Sequence, residues 1–137
     1  SHTWYHAVDE GLIRSKNLRV TSTSSPIVNS LAISNVIPSY APDGKTLISS
    51  TTISALSDAA AVEEIGKFWE LAPSDFELVK RYDIKDSLPI FTPGKTAKAE
   101  SAKVADNVYR AGDYLTAGSQ NGALLSGRLA AMEALLN

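Results

Sequence analysis

Short runs rich in apolar, aromatic and β-branched residues recur along the first half of the chain, and over 27–37 the apolar residues partly alternate with polar ones, which is typical of β-strands. Strand-like runs occupy 3–8, 18–21, 27–37 and 46–53. The dipeptide Asp43-Gly44 separates the last two runs, and it is a strong hairpin signal because glycine tolerates positive φ. The sequence therefore predicts one antiparallel sheet in this half.

The apolar spacing becomes helical after residue 57. Val62, Ile65 and Trp69 recur at i, i+3 and i+7, and Ser57 or Asp58 can cap the start of a helix. We expect Pro73 to stop this helix, a further strand over 76–84, and both tryptophans, Trp4 and Trp69, in the core. Strands segregated from helices in this way predict an α+β fold.

The last third of the chain is predicted to contain a polar segment, a strand, a turn and a helix. Residues 96–103 fit either a surface helix or a loop. The run 107–113 is expected to be a strand that ends in Gly-Asp, and a helix is expected from about 120 through Leu136. Small residues recur every four positions on that helix, at Gly122, Ser126, Ala130 and Ala134.

This last region carries the candidate chemistry. A helix N-terminus offers unpaired N–H groups and a partial positive charge, and an aspartate at the end of a strand can accept hydrogen bonds from a sugar hydroxyl. Asp113 and the turn before the helix have this arrangement. From spacing alone, an ordinary strand–turn–helix capped at Ser119 or Asn121 is the more common explanation.

Composition narrows the class of protein. The chain has 137 residues with 13 basic and 15 acidic side chains, a net charge of -2 that argues against nucleic-acid binding. It contains no cysteine, which excludes disulfides and thiolate metal sites, and its two histidines lie at positions 2 and 6 without a metal motif. No apolar run is long enough to span a membrane. We expect a cytoplasmic protein without a metal site.

Two long motifs in the last third resemble the C-terminal flavin-binding segment of the FAD-dependent amine oxidase superfamily, which includes desaturase-like, renalase-like and protoporphyrinogen oxidase-like flavoproteins. They are the run VYRAGD at 108–113 and the run GSQNGALLSGRLAA at 118–131. Upstream, YAPDGKTLI at 40–48 is similar to a hairpin of the substrate domain, and the passage 82–89 is similar to the one that precedes the final flavin strand.

The resemblance implies a fold, a division of the chain and a cofactor site. Residues 1–95 would form an antiparallel substrate-domain sheet with a packed helix, and 96–137 a strand–helix segment of a split FAD-binding domain. Asp113 would bind the ribityl or phosphate-linking region of FAD, and the helix start would face the pyrimidine edge of the isoalloxazine. The implied cofactor-binding residues are Gly112, Asp113, Ser119, Gln120, Asn121, Gly122 and Ala123.

The chain departs from the superfamily pattern in two respects. It contains no Gly-x-Gly-x-x-Gly, the motif that holds the ADP half of FAD. We therefore expect the C-terminal part of a larger oxidoreductase, inactive and without FAD when alone, whose partner is a Rossmann portion. The passage Ile84 to Pro89 lacks the aromatic pattern of amine oxidases proper, so hydride transfer from a C–N bond or from a C–C bond of a small organic substrate is equally open.

A non-catalytic alternative concerns the C-terminal helix. Leu125, Leu129, Met132 and Leu136 lie along one side of it, and large exposed apolar patches drive association. The alternative hypothesis is a module that forms a homodimer through this small-residue helix.

Overall fold

The structure of the protein is a computed structural model that describes residues 1–21, 25–92 and 101–136. The chain divides into two compact units, Ser1–Lys85 and Asp86–Asn137. The fold is α+β, as the sequence predicts. In the described part of the chain, no helix has the length and apolar character needed to cross a membrane.

A five-stranded sheet forms the first unit. All its neighbouring strands are antiparallel, in the order β2-β3-β4-β1-β5. This confirms the predicted antiparallel sheet. The strands are β1 (His2–Asp9), β2 (Arg19–Val20), β3 (Ile27–Ala32), β4 (Lys45–Thr52) and β5 (Glu77–Asp83).

One face of this sheet carries the core. Along β1 the buried residues are Trp4, His6 and Val8, every second position, as expected for a strand covered on one side. The helix α1 (Asp58–Trp69) contributes Ala61, Ile65 and Trp69 to the same core, which confirms that both tryptophans are core residues. One polar pair lies within this core: the Trp69 indole N–H donates to Ser30 Oγ over 2.8 Å.

Local signals determine the ends of α1. The Ser57 hydroxyl accepts a hydrogen bond from Ala60 N–H over 3.1 Å, so Ser57 is the N-cap. The helix ends at Trp69, and its C-cap Glu70 has a left-handed φ of 59°. It therefore ends four residues before Pro73, the residue that the sequence suggested as the stop.

The second unit contains a short hairpin and the long C-terminal helix. The strands β6 (Lys103–Ala105) and β7 (Val108–Tyr109) pair antiparallel, and the helix α2 spans Gln120–Leu136. The helix packs its small residues inward, at Gly122, Ser126 and Ala130, and leaves its leucines outside. The Gly112 N–H donates to Ser126 Oγ over 3.0 Å, which holds the preceding loop on the helix.

Two predicted strands are too long. The strand predicted over 27–37 ends at Ala32, and 3-10 turns follow at Ile33–Asn35 and Pro38–Tyr40. The Ser34 hydroxyl accepts a hydrogen bond from Leu47 N–H over 2.8 Å, so at this point a side chain, and not the neighbouring backbone, is bound to β4.

The prediction of a strand over 107–113 is also wrong beyond Tyr109. Asn107 has a positive φ of 59° and forms the hairpin turn, while Asp113 begins a 3-10 turn that ends at Leu115. Asp113 therefore does not lie at the end of a strand. Of the ambiguous polar segment, residues 96–100 lie outside the described residues, and Ser101 and Ala102 precede β6.

Candidate functional site

The turn before α2 is held by hydrogen bonds from residues close in sequence. The Ser119 hydroxyl accepts from Gly122 N–H over 3.0 Å, and the Ser119 carbonyl accepts from Ala123 N–H over 2.9 Å. Ser119 thus acts as the N-cap of α2, one of the two caps that the sequence allowed. The N–H groups of Gly122 and Ala123 are consequently used within the helix start itself.

Gly122 is buried because the chain folds back against it. Its carbonyl accepts a hydrogen bond from the Thr116 hydroxyl over 2.7 Å. A Cβ added at Gly122 would lie 1.7 Å from the carbonyl oxygen of Ala117, closer than any contact allows. The lack of a side chain at this position is therefore required by the turn 116–119.

The first two amides of α2 remain available. Gln120 and Asn121 are exposed, and within the described residues no acceptor is bound to their backbone N–H groups. The opening N–H groups of a helix point along its axis and carry its partial positive charge. The start of α2 can therefore donate two hydrogen bonds to an electron-rich group.

Asp113 is half-buried in the loop that precedes this turn. Its backbone carbonyl accepts from Thr116 N–H over 3.1 Å and closes the 3-10 turn. Its carboxylate has no hydrogen-bond partner among the described residues, so it can accept from a hydroxyl group. The residue before it, Gly112, is extended, and a Cβ there would lie 2.3 Å from the Tyr114 ring.

Two aromatic side chains lie beside glycines of this region, and sequence reasoning did not single out either. A Cβ at Gly118 would lie 2.7 Å from the ring of Phe91, a residue of the extended connector 86–92. Tyr114 covers Gly112 in the same way. Phe91 and Gly118 are far apart in sequence, and neither periodicity nor spacing gives a signal for such a contact.

A carboxylate on α2 fixes the start of the hairpin. Glu133 accepts hydrogen bonds from the Ser101 hydroxyl and from Ala102 N–H, the latter over 2.7 Å. These two hydrogen bonds lower the pKa of Glu133 below its ordinary value. With the Gly112–Ser126 bond, α2 is tied to the chain before it at two points along its length.

The seven residues implied as cofactor-binding all lie in the second unit, in the loop 112–119 and the first turn of α2. Four of them, Ser119, Gln120, Asn121 and Ala123, are exposed, while Gly112 and Asp113 are partly covered and Gly122 is buried. The groups that remain available for a ligand include the backbone N–H groups of Gln120 and Asn121 and the Asp113 carboxylate. Among the described residues no cluster of His, Asp and Glu could hold a metal ion.

Comparison with known proteins gives one match. The family model for flavin containing amine oxidoreductase matches residues 5–135, nearly the whole chain. Curated proteins gave no significant match to the sequence.

Proposed function

This chain belongs to the family of flavin-containing amine oxidoreductases, and from that membership we propose that it is the C-terminal part of an FAD-dependent oxidoreductase. The whole enzyme transfers a hydride from a C–N or C–C bond of a small organic substrate to the flavin. The observation that carries the proposal is the family match, which extends over both compact units.

The two parts of the chain have different tasks in this proposal. Residues 1–95 supply the antiparallel sheet of a substrate domain, and 96–137 supply the flavin-binding segment. Support comes from the compact sheet unit, from the connector 86–92 that has no regular structure, and from the separate unit that contains α2.

The available groups at the start of α2 suit the flavin. The N–H groups of Gln120 and Asn121 would hold the pyrimidine edge of the isoalloxazine, and the Asp113 carboxylate would accept hydrogen bonds from the ribityl hydroxyls. When bound, FAD supplies the hydride acceptor, and its pyrimidine edge gains negative charge on reduction. The partial positive charge of a helix N-terminus favours that reduced form.

The remainder of the FAD site belongs to a portion outside these 137 residues. The sequence contains no Gly-x-Gly-x-x-Gly, so we propose that a Rossmann portion holds the ADP half. The character of α2 supports such a partner. It has only two charged residues, Arg128 and Glu133, and its exposed leucines are between 37% and 87% accessible. A helix that is apolar all round is normally covered.

The family match does not favour the alternative, a non-catalytic module that dimerises through α2. The exposed leucines need a covering surface in either case. Light scattering on the isolated chain measures whether a second copy provides that surface.

The test is the visible spectrum of the complete product of the reading frame in which this sequence lies. We expect it to purify yellow with bound FAD, and we expect the isolated chain to stay colourless. Asp113→Asn in the complete protein should weaken FAD binding by at least about tenfold, since hydrogen bonds to a charged group contribute roughly 1.5–3 kcal/mol. Asp106→Asn removes a fully exposed carboxylate of the same unit and should leave binding unchanged. A colourless complete protein that ignores added FAD would defeat the proposal.

A further inference from the structure

We infer that a cavity in the first unit binds a small zwitterion, with the cationic group held at Glu10 and Asp43 and the anionic group held at Arg14 and Lys16. These four charged residues all line the cavity. The inference concerns residues of the first unit alone and does not depend on the flavin proposal.

The cavity lies between the loop that follows β1 and the segment that leads into β4. Its volume is about 530 Å³. Cavities that hold small ligands usually measure about 300–1,000 Å³. The buried side chains Ile13 and Thr46 form part of its wall, so the charged residues surround a shaped depression.

Backbone pairing brings the two acidic residues together. The Glu10 N–H donates to the Gly44 carbonyl over 2.9 Å, which sets Glu10 beside the turn that contains Asp43. The neighbouring cation, Lys45, is already paired, since its Nζ lies 2.9 Å from Asp9 Oδ1 and 3.9 Å from Glu77 Oε2. Within the described residues neither Glu10 nor Asp43 forms an ion pair, so this end of the cavity is acidic.

The two basic residues lie farther along the loop, and the partly buried Asn35 side chain holds the backbone before each of them. The Asn35 side-chain amide donates to the Ile13 carbonyl over 2.8 Å and to the Ser15 carbonyl over 3.0 Å. These carbonyls immediately precede Arg14 and Lys16. Preorganised groups lose less entropy on binding. In the part of the chain that the structure describes, neither cation has a carboxylate partner.

The presence of two basic and two acidic residues around one cavity indicates which class of ligand it binds. None of the four side chains forms a salt bridge with another of them, so both kinds of charge stay available in one cavity. A simple anion would gain at Arg14 and Lys16 but be repelled by Glu10 and Asp43. A molecule with an ammonium group and a carboxylate or phosphate group satisfies both ends.

The test is a titration of the isotopically labelled 137-residue chain, followed by the amide NMR signals of Gly11 and Gly44. The probes are β-alanine, γ-aminobutyrate and ε-aminocaproate, with butylamine and butyrate as single-charge analogues. We expect one of the amino acids to bind at least about threefold more tightly than either analogue, because an exposed ion pair contributes only modestly. The inference would be overturned if butyrate or butylamine bound as tightly as the best amino acid. It would also be overturned if none of the probes bound.

Charge-removal variants locate the ligand. Arg14→Gln with Lys16→Gln, and separately Glu10→Gln with Asp43→Asn, should each weaken binding of the preferred amino acid about three- to tenfold. Lys80→Gln removes an exposed cation from β5 and should bind like the parent chain. Thermal unfolding confirms that each variant folds. If the folded double variants bind as the parent chain does, the cavity is not the site.

Discussion

The indole N–H of Trp4 donates to Asp58 Oδ1 over 3.0 Å, which joins the inner strand β1 to the first turn of α1. Trp4 is fully buried, and its ring is covered by the Arg81 guanidinium at 5.4 Å. Arg81 Nη1 also lies 3.4 Å from Asp58 Oδ1. One carboxylate oxygen therefore connects three elements of the first unit, β1, α1 and β5.

Removing this carboxylate should destabilise the first unit. Asp58→Ala leaves the Trp4 N–H without its acceptor, and we expect a loss of about 1–2 kcal/mol in the free energy of unfolding. Asp58→Asn keeps an oxygen acceptor and loses only the charge, so the expected loss is about 0.5 kcal/mol. Urea unfolding followed by tryptophan fluorescence measures both, since Trp4 and Trp69 both lie in this unit. Equal losses in the two variants would show that the indole hydrogen bond contributes nothing, and Glu63→Ala on the same helix is the control.

Two glycines of α2 should respond oppositely to alanine. At Gly122 a Cβ would collide with the Ala117 carbonyl, so Gly122→Ala should destabilise the helix start by roughly 1–3 kcal/mol. At Gly127 nothing lies within 4 Å of an added Cβ, so Gly127→Ala should raise helix stability by up to about 1 kcal/mol. Hydrogen exchange of the α2 amides measures each change. Equal protection in the two variants would contradict the close approach of Ala117.

Acid should weaken the first unit through His6. Burial against the core lowers the pKa of His6 below its ordinary 6.5, and its Nδ1 has no hydrogen-bond partner among the residues that the structure describes. The unfolded chain therefore binds a proton that the folded chain resists, so stability should fall as pH drops below about 6.5 and level off below the folded pKa.

The measurement is the urea unfolding free energy between about pH 7.5 and pH 5. His6→Leu should flatten the loss of stability over this range, while His2→Gln, which changes the other histidine, should keep it. If His6→Leu follows the same curve as the parent chain, the burial of His6 is not the source of the acid sensitivity.

A second pH effect belongs to Asp83. Hydrogen bonds from the His2 ring and from Arg81 lower the pKa of the Asp83 carboxyl. Its contribution to stability is complete above the unfolded pKa of about 3.9 and is lost as pH falls through the lower folded value. The two effects are therefore separated on the pH axis, because that of His6 begins near neutrality.

Regular elements with strong local signals were predictable from the sequence. The cap candidates Ser57 and Asp58 and the i, i+3, i+7 spacing located α1. Aromatic and β-branched residues located β1, and the Asp43-Gly44 turn signal located β4. Strand ends were less predictable because they depend on distant partners. The strand from Ile27 stops at Ala32 since the Ser34 hydroxyl binds Leu47 N–H. The pattern of apolar residues cannot predict that hydrogen bond, because its two partners are far apart in sequence.

In the candidate site, too, local features were predictable from the sequence and tertiary contacts were not. The helix start near residue 120 followed from the sequence, which left the cap open between Ser119 and Asn121; the structure places it at Ser119. The space at Gly122 is filled by Ala117, and Phe91 lies against Gly118. Both contacts are tertiary, so spacing along the chain could not distinguish a glycine that admits a ligand from one that admits the chain itself.

The central claim is that the first amides of α2 face a reduced flavin. Gln120→Pro tests it, because proline at the first helical position removes one N–H without breaking the helix. Gln120→Ala is the matched control, since it changes the same side chain and keeps the amide.

The measurement is the two-electron reduction potential of the FAD-loaded complete protein. We predict that Gln120→Pro makes the potential about 10–30 mV more negative than Gln120→Ala does, because one donor to the reduced pyrimidine edge is lost. Identical potentials in the two variants, with FAD still bound in both, would contradict the claim.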